Sequence, residues 1–145
     1  MKPFEGVLSF VDTPSDRPPS GARGHRVILT RIAAESALET LVGSPLNRRY
    51  DLSGHDKDTV IGSITNAWVD RKGKLCVKGC FEEEKLGKRP SGLGMSYELK
   101  DATIDDMRSR VWKITKCTFE GAAVLKRHTA AYQTTSFTVK RRWFA

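Results

Sequence analysis

Arg110-Val111-Trp112-Lys113-Ile114-Thr115-Lys116-Cys117-Thr118 alternates two sets of residues along its length. Val111, Lys113, Thr115 and Cys117 fall on one face of an extended chain, and Trp112, Ile114 and Lys116 on the other. A period of two predicts a strand. Met95 to Ile104 reads as its upstream neighbour, and Asp105-Asp106 supplies the turn between them, so the pair is expected to form a hairpin.

The same pattern recurs outward from this hairpin. Thr59 to Asp70 and Leu75 to Phe81 read as strands joined by the Arg71-Lys72-Gly73-Lys74 turn. Phe4 to Val11 and His25 to Thr30 are further strands, separated by a loop over Asp12 to Gly24 that holds Pro14, Pro18, Pro19, Gly21 and Gly24. Ala33 to Val42 carries Ala34, Ala37, Leu38, Leu41 and Val42 at helical spacing, and Gly43 and Pro45 stop it. Ser44 to Lys57 reads as a polar loop, and Glu82 to Leu86 as a short helical turn. Lys88 to Gly94 is rich in Pro, Gly and Ser. Ala122 to Leu125 is a short apolar run. His128 to Tyr132 fits one helical turn, and Ser136 to Phe144 a last strand or tail. Closely spaced strands with one clear helix predict a mainly β fold with flanking helices, an α+β arrangement built on an open sheet or barrel. The 145 residues suit a single domain.

The net charge is +8, so nucleic acid, an anionic membrane and acidic proteins are the candidate partners. The clusters Arg48-Arg49, Lys126-Arg127 and Lys140-Arg141-Arg142 are short and lack the interleaved aromatics of a single-strand binding platform. No apolar run reaches the length of a membrane span, and Met1 to Gly6 lacks the apolar stretch of a signal peptide. The three cysteines are expected to be reduced thiols. Cys76 and Cys80 share a strand face and could supply half of a zinc site, but a second pair is missing, so burial as small apolar residues is the better account. No cofactor is expected.

Three residues could do chemistry together. Ser96 follows the glycine-rich approach Gly92-Leu93-Gly94-Met95 and enters a strand. A Gly-x-Ser-x-Gly elbow would indicate an α/β-hydrolase, but Glu98 stands where the second glycine belongs, and Tyr97-Glu98-Leu99-Lys100 continues as strand. His55 is the best base among the three histidines. His25 opens a strand, and His128 follows Lys126-Arg127 with no acid to orient it. Glu120 interrupts the apolar run from Phe119 to Leu125, and its carboxylate could accept a histidine Nδ1–H. Taken singly, Ser96 reads as a strand serine bonding locally, His55 as a solvated loop histidine beside Asp56 and Asp58, and Glu120 as an edge carboxylate.

In order and spacing the segments carry more. Ser53-Gly54-His55-Asp56, Val60-Ile61-Gly62-Ser63-Ile64, Leu75-Cys76-Val77-Lys78-Gly79, Leu93-Gly94-Met95-Ser96-Tyr97-Glu98 and Phe119-Glu120-Gly121-Ala122-Ala123-Val124-Leu125 together resemble the prohead (capsid maturation) proteases of tailed bacteriophages. That family is related in fold to the herpesvirus assembly proteases. The resemblance covers Gly6 to Thr135. It implies a compact β-barrel of the herpesvirus-protease type and a serine endopeptidase, with His55 as base, Ser96 as nucleophile and Glu120 as third member. His128 is the runner-up, because the herpesvirus enzymes use a histidine there. By the same resemblance, oxyanion donors are expected in the backbone near Lys126 and Arg127.

The implied substrates are the scaffold protein, the major coat protein and the enzyme itself, inside the immature capsid in the host cytoplasm. A homo-oligomer, such as a dimer, is expected, with no membrane and no specific nucleic acid as partner. Members often carry a C-terminal extension, so a chain stopping at Ala145 is expected to be a processed, trimmed or short form. Two other classes stay open: an inactive scaffold or capsid protein of the same fold, and a basic nucleic-acid-binding β-barrel, which steeply salt-dependent DNA binding without proteolysis would identify.

Overall fold

The computed structural model describes residues 1–87 and 92–140. In chain order the strands are β1 (Lys2–Phe10), β2 (Arg26–Leu29), β3 (Pro45–Asn47), β4 (Val60–Val69), β5 (Lys74–Phe81), β6 (Leu93–Ile104), β7 (Val111–Lys126) and β8 (Ser136–Val139). Helix α1 (Arg31–Leu41) links β2 to β3, and α2 (Glu83–Leu86) is a single turn after β5. Arg127–Thr129 forms a 3₁₀ turn. Most of the expected Lys88 to Gly94 loop, Arg141-Arg142 of the last basic cluster and the end of the Ser136 to Phe144 segment lie outside the described residues.

All eight strands belong to one sheet, ordered β2-β7-β3-β4-β5-β1-β8, with β6 on the other edge of β7. The sheet curls into a half-barrel, so that β6 comes over β1 and β8 without pairing with either. A Cβ on Gly6 of β1 would stand 2.4 Å from Met95 Sδ of β6, which measures how closely those two strands pack. The fold is thus mainly β with flanking helices, as the alternation predicts. The expected hairpin is the antiparallel β6–β7 pair.

β7 is the organising strand. One edge pairs with β6; the opposite edge pairs in parallel with β2 at Val111–Ile114 and with β3 at Ala122–Ala123. Between those two short partners the edge faces α1, and the Thr40 hydroxyl accepts the Phe119 N–H at 2.9 Å. A buried N–H that would otherwise be unpaired is satisfied by a helix side chain. The sequence suggested two pieces, Arg110 to Thr118 and Ala122 to Leu125, because its pattern changes midway. The first half alternates, whereas Gly121 to Leu125 is buried on both faces and reads as a continuous apolar run. Ala122 and Val124 join the main core, while Ala123, Leu125 and Ala130 form a second cluster on the far side.

α1 begins at Thr30, whose hydroxyl accepts the Ala33 N–H and donates to Ile114 O. Ala33, Ala34, Ala37 and Leu41 are buried, and three alanines let the helix lie close to the sheet. Val42, expected on the buried side, lies beyond the helix end and is exposed. The larger correction concerns the stretch read as a loop over Ser44 to Lys57. Its start is β3, three residues long and too short to show a period.

Candidate active site

The far side of the β6–β7 pair carries small residues in register. Ser96 lies opposite Ala123, and Ala123 is in turn the parallel partner of Asn47 in β3. Glu98 lies opposite Gly121. Ser96 and Glu98 are two apart in one strand, so they share a face. A Cβ on Gly121 would sit 3.1 Å from Glu98 Oε1 and 2.7 Å from Pro45 O. Glycine at that position makes room for the carboxylate to lie across β7 toward β3.

There the carboxylate meets two donors. Asn47 Nδ2 donates to Glu98 Oε2 at 2.6 Å, and His55 Nδ1 shares the same oxygen at 2.6 Å. Asn47 Oδ1 accepts the Asp56 N–H at 3.1 Å. A backbone N–H on one side and a carboxylate on the other fix which way the Asn47 amide points. Asn47 is 1% exposed and Glu98 8%, so both bonds are shielded from competing water. One buried amide therefore holds the acid and the histidine loop together.

The loop is anchored at several further points. Thr59 N–H donates to Asp56 O and the Thr59 hydroxyl to Asp56 Oδ2, closing a turn that follows His55. Ser53 bonds Asp51 through both its N–H and its hydroxyl. Leu52 is buried, and its carbonyl accepts the Lys126 N–H at 2.7 Å, docking the loop on the end of β7. Asp56, the acid next to His55 in sequence, is committed to this turn.

Burial raises the Glu98 carboxyl, but the hydrogen bonds from His55 and Asn47, with the charges of His55 and Lys57, outweigh it and hold the group below the usual carboxylate range. Glu98 is thus ionised at neutral pH, and an ionised carboxylate only accepts. The proton of a neutral His55 must sit on Nδ1, which leaves the Nε2 lone pair available as a base.

Ser96 is half-buried and lines the same groove as His55 and Glu98, a cleft of about 750 Å³. Among the described residues, its hydroxyl makes no hydrogen bond. The acid is not the expected one. Glu120 Oε2 pairs with Lys57 Nζ at 3.0 Å, and the Nδ1 that Glu120 was expected to take is bonded to Glu98. Glu98 faces Gly121 and Leu99 faces Phe119, so Glu120 is the extra, unpaired residue of a bulge. His128 is exposed on the 3₁₀ turn and does not line the groove. The expected oxyanion donors are also occupied: Lys126 N–H donates to Leu52 O and Arg127 N–H to Gly92 O. His25 stacks on Trp112, with ring centroids 4.3 Å apart.

Cys76 and Cys80 both lie on β5, and Cys117 is buried on β7. Among the described residues no group of three or more His, Cys, Asp and Glu side chains converges as a metal site, and no helix is long and apolar enough to cross a membrane.

Sequence reasoning passed over Glu98 and Asn47. Glu98 was within reach, because Ser96-x-Glu98 on a strand puts acid and hydroxyl on one face. Asn47 carried no local pattern. No protein-family model matches this chain, and no curated protein matches it. What stands on its own is a mainly β protein whose groove holds an Asn–Glu–His relay beside a free serine.

Proposed function

We propose that this chain is a serine endopeptidase, with Ser96 as nucleophile, His55 as base and Glu98 as the residue that orients the base. The observation carrying this reading is the 2.6 Å bond from His55 Nδ1 to the buried carboxylate of Glu98. It supplies the second and third parts of a nucleophile–base–acid set in a groove lined by a serine. The resemblance to phage prohead proteases supports peptide as substrate, specifically scaffold and coat-protein segments cleaved within an immature capsid by a homo-oligomeric enzyme. It also supports a barrel of the herpesvirus-protease type.

In this mechanism His55 Nε2 takes the Ser96 proton as Oγ attacks the peptide carbonyl, then returns it to the leaving amine. Water attacks the acyl-enzyme as His55 takes its proton, and His55 then returns that proton to Ser96 Oγ as the acyl–oxygen bond breaks and the acid product leaves. Glu98 holds the Nδ1–H tautomer and stabilises the imidazolium. For Lys126 or Arg127 to serve the oxyanion, its N–H would have to leave Leu52 O or Gly92 O. Catalytic hydrogen bonds commonly tighten only with substrate bound. Ser96→Ala tests the reading: cleavage of coat and scaffold substrates should fall by at least about 10³-fold, with the fold intact by circular dichroism. Unchanged processing by that variant removes Ser96 from the mechanism.

The free Ser96 hydroxyl and the occupied Lys126 and Arg127 N–H groups favour a second reading, an inactive capsid or scaffold protein of the same fold. Labelling of Ser96 by a fluorophosphonate probe excludes it.

A further inference from the structure

Four consecutive residues of β6, Ser96 to Leu99, line one groove. Consecutive strand side chains point to opposite faces, so this groove takes in the edge of β6, and from there it runs over β7 to Trp112, Ile114 and Leu125. β6 pairs with β7 alone, and among the described residues no strand occupies its other edge. The Met95 N–H is taken by Thr135 Oγ1, so the open stretch begins after Met95. An open edge offers N–H and C=O groups to an extended peptide, and the adjoining groove sorts its side chains.

The charge of the groove narrows the choice of peptide. Among the described residues its one carboxylate is Glu98, already consumed by His55 and Asn47. Of its cations, Lys57 is paired with Glu120. Arg23 and Arg49 also line the groove, both exposed, and neither forms an ion pair among the described residues; Asp51, which feels the charge of Arg49, does not line the groove. The unbalanced charge facing a ligand is positive, contributed from two separate loops.

We propose that this groove binds an extended acidic peptide along the open edge of β6, with Arg23 and Arg49 taking its carboxylates. The inference deepens the protease reading by naming a substrate class. It rests on that reading for placing the scissile bond at Ser96, whereas binding itself requires no chemistry.

The test is fluorescence anisotropy with the full Ser96→Ala chain and two fluorescein-labelled decapeptides, one alternating glutamate with alanine and one alternating glutamine with alanine. The glutamate peptide should bind roughly tenfold more tightly at low salt, and this preference should shrink as salt rises. Arg23→Gln and Arg49→Gln should each weaken it by about threefold. Lys113→Gln, an exposed cation outside the groove, should leave binding unchanged. The Arg49 guanidinium packs near Gly54 in the histidine loop, so Arg23→Gln guards against an effect of misfolding.

Equal binding of the two peptides, or equal losses at Lys113 and at the two arginines, overturns the proposal. The two readings fail separately. Wild-type cleavage of both peptides at equal rates, lost in Ser96→Ala, keeps the protease and removes the acidic preference. Arginine-dependent binding of the glutamate peptide with no cleavage by wild type keeps the groove and removes the protease.

Discussion

Replacing Glu98 by alanine should cost far more than replacing Glu120. The carboxylate accepts from Asn47 and His55 through one oxygen. Its loss strands the Asn47 amide at 1% exposure, and a buried unpaired amide costs about 1–3 kcal/mol. The His55 side chain is 25% exposed, so it can turn to water, and losing its bond adds only about 1 kcal/mol. Relief from burying the carboxylate offsets part of this, leaving roughly 2 kcal/mol. Unfolding entropy of about 2.1 cal/mol/K per residue gives roughly 0.3 kcal/mol/K for a chain of 145 residues. The melting midpoint should therefore fall by about 7 °C.

Glu120→Ala removes only a solvent-exposed pair with Lys57 and should leave the midpoint in place. The assay is thermal and urea unfolding followed by tryptophan fluorescence at neutral pH. The sign of the pH dependence is fixed by the lowered Glu98 carboxyl. Its stabilisation is present above the unfolded carboxyl value of about 4.3 and is lost as pH falls through the folded value. Wild type and Glu98→Gln should therefore converge in acid. Equal losses for Glu98→Ala and Glu120→Ala, or a Glu98→Ala shift of only a degree or two, would refute the relay.

Other outcomes follow from the same geometry. Gly121→Ala drives a methyl toward Pro45 O and Glu98 Oε1; it should cost about 1–3 kcal/mol in urea unfolding and reduce any peptidase activity along with it. Thr40→Val keeps the shape of the side chain but strands the Phe119 N–H, so stability should drop by about 1–3 kcal/mol and that amide should exchange faster with deuterium. Burial pushes the Cys117 thiol up to about 11. With Ellman's reagent at pH 8, it should react only on unfolding, and Cys117→Ser should leave the fast phase of the native protein unchanged.

Local chemistry dictated most of the elements. Alternation along Val111 to Cys117 made a strand, Thr30 and Gly43 bounded a helix, and Lys72-Gly73 turned a hairpin, because these choices depend on neighbours a few residues away. The candidate site was legible in part for the same reason. Ser96 in a strand and His55 in a loop could be picked out, and both line one groove. The acid could not be chosen in this way. His55 and Glu98 are 43 positions apart, and Asn47 and Glu98 are 51 apart. Their meeting depends on strand register, and a one-residue shift moves side chains to the other face. The bulge at Glu120 is such a shift, and nothing in Phe119-Glu120-Gly121 announces it. The sequence by itself determined a serine on a strand, a histidine on a loop and two acids within reach. Tertiary structure decided which acid the histidine holds, because pairing across three strands buried Glu98 against Asn47 and left Glu120 half-buried and paired with Lys57.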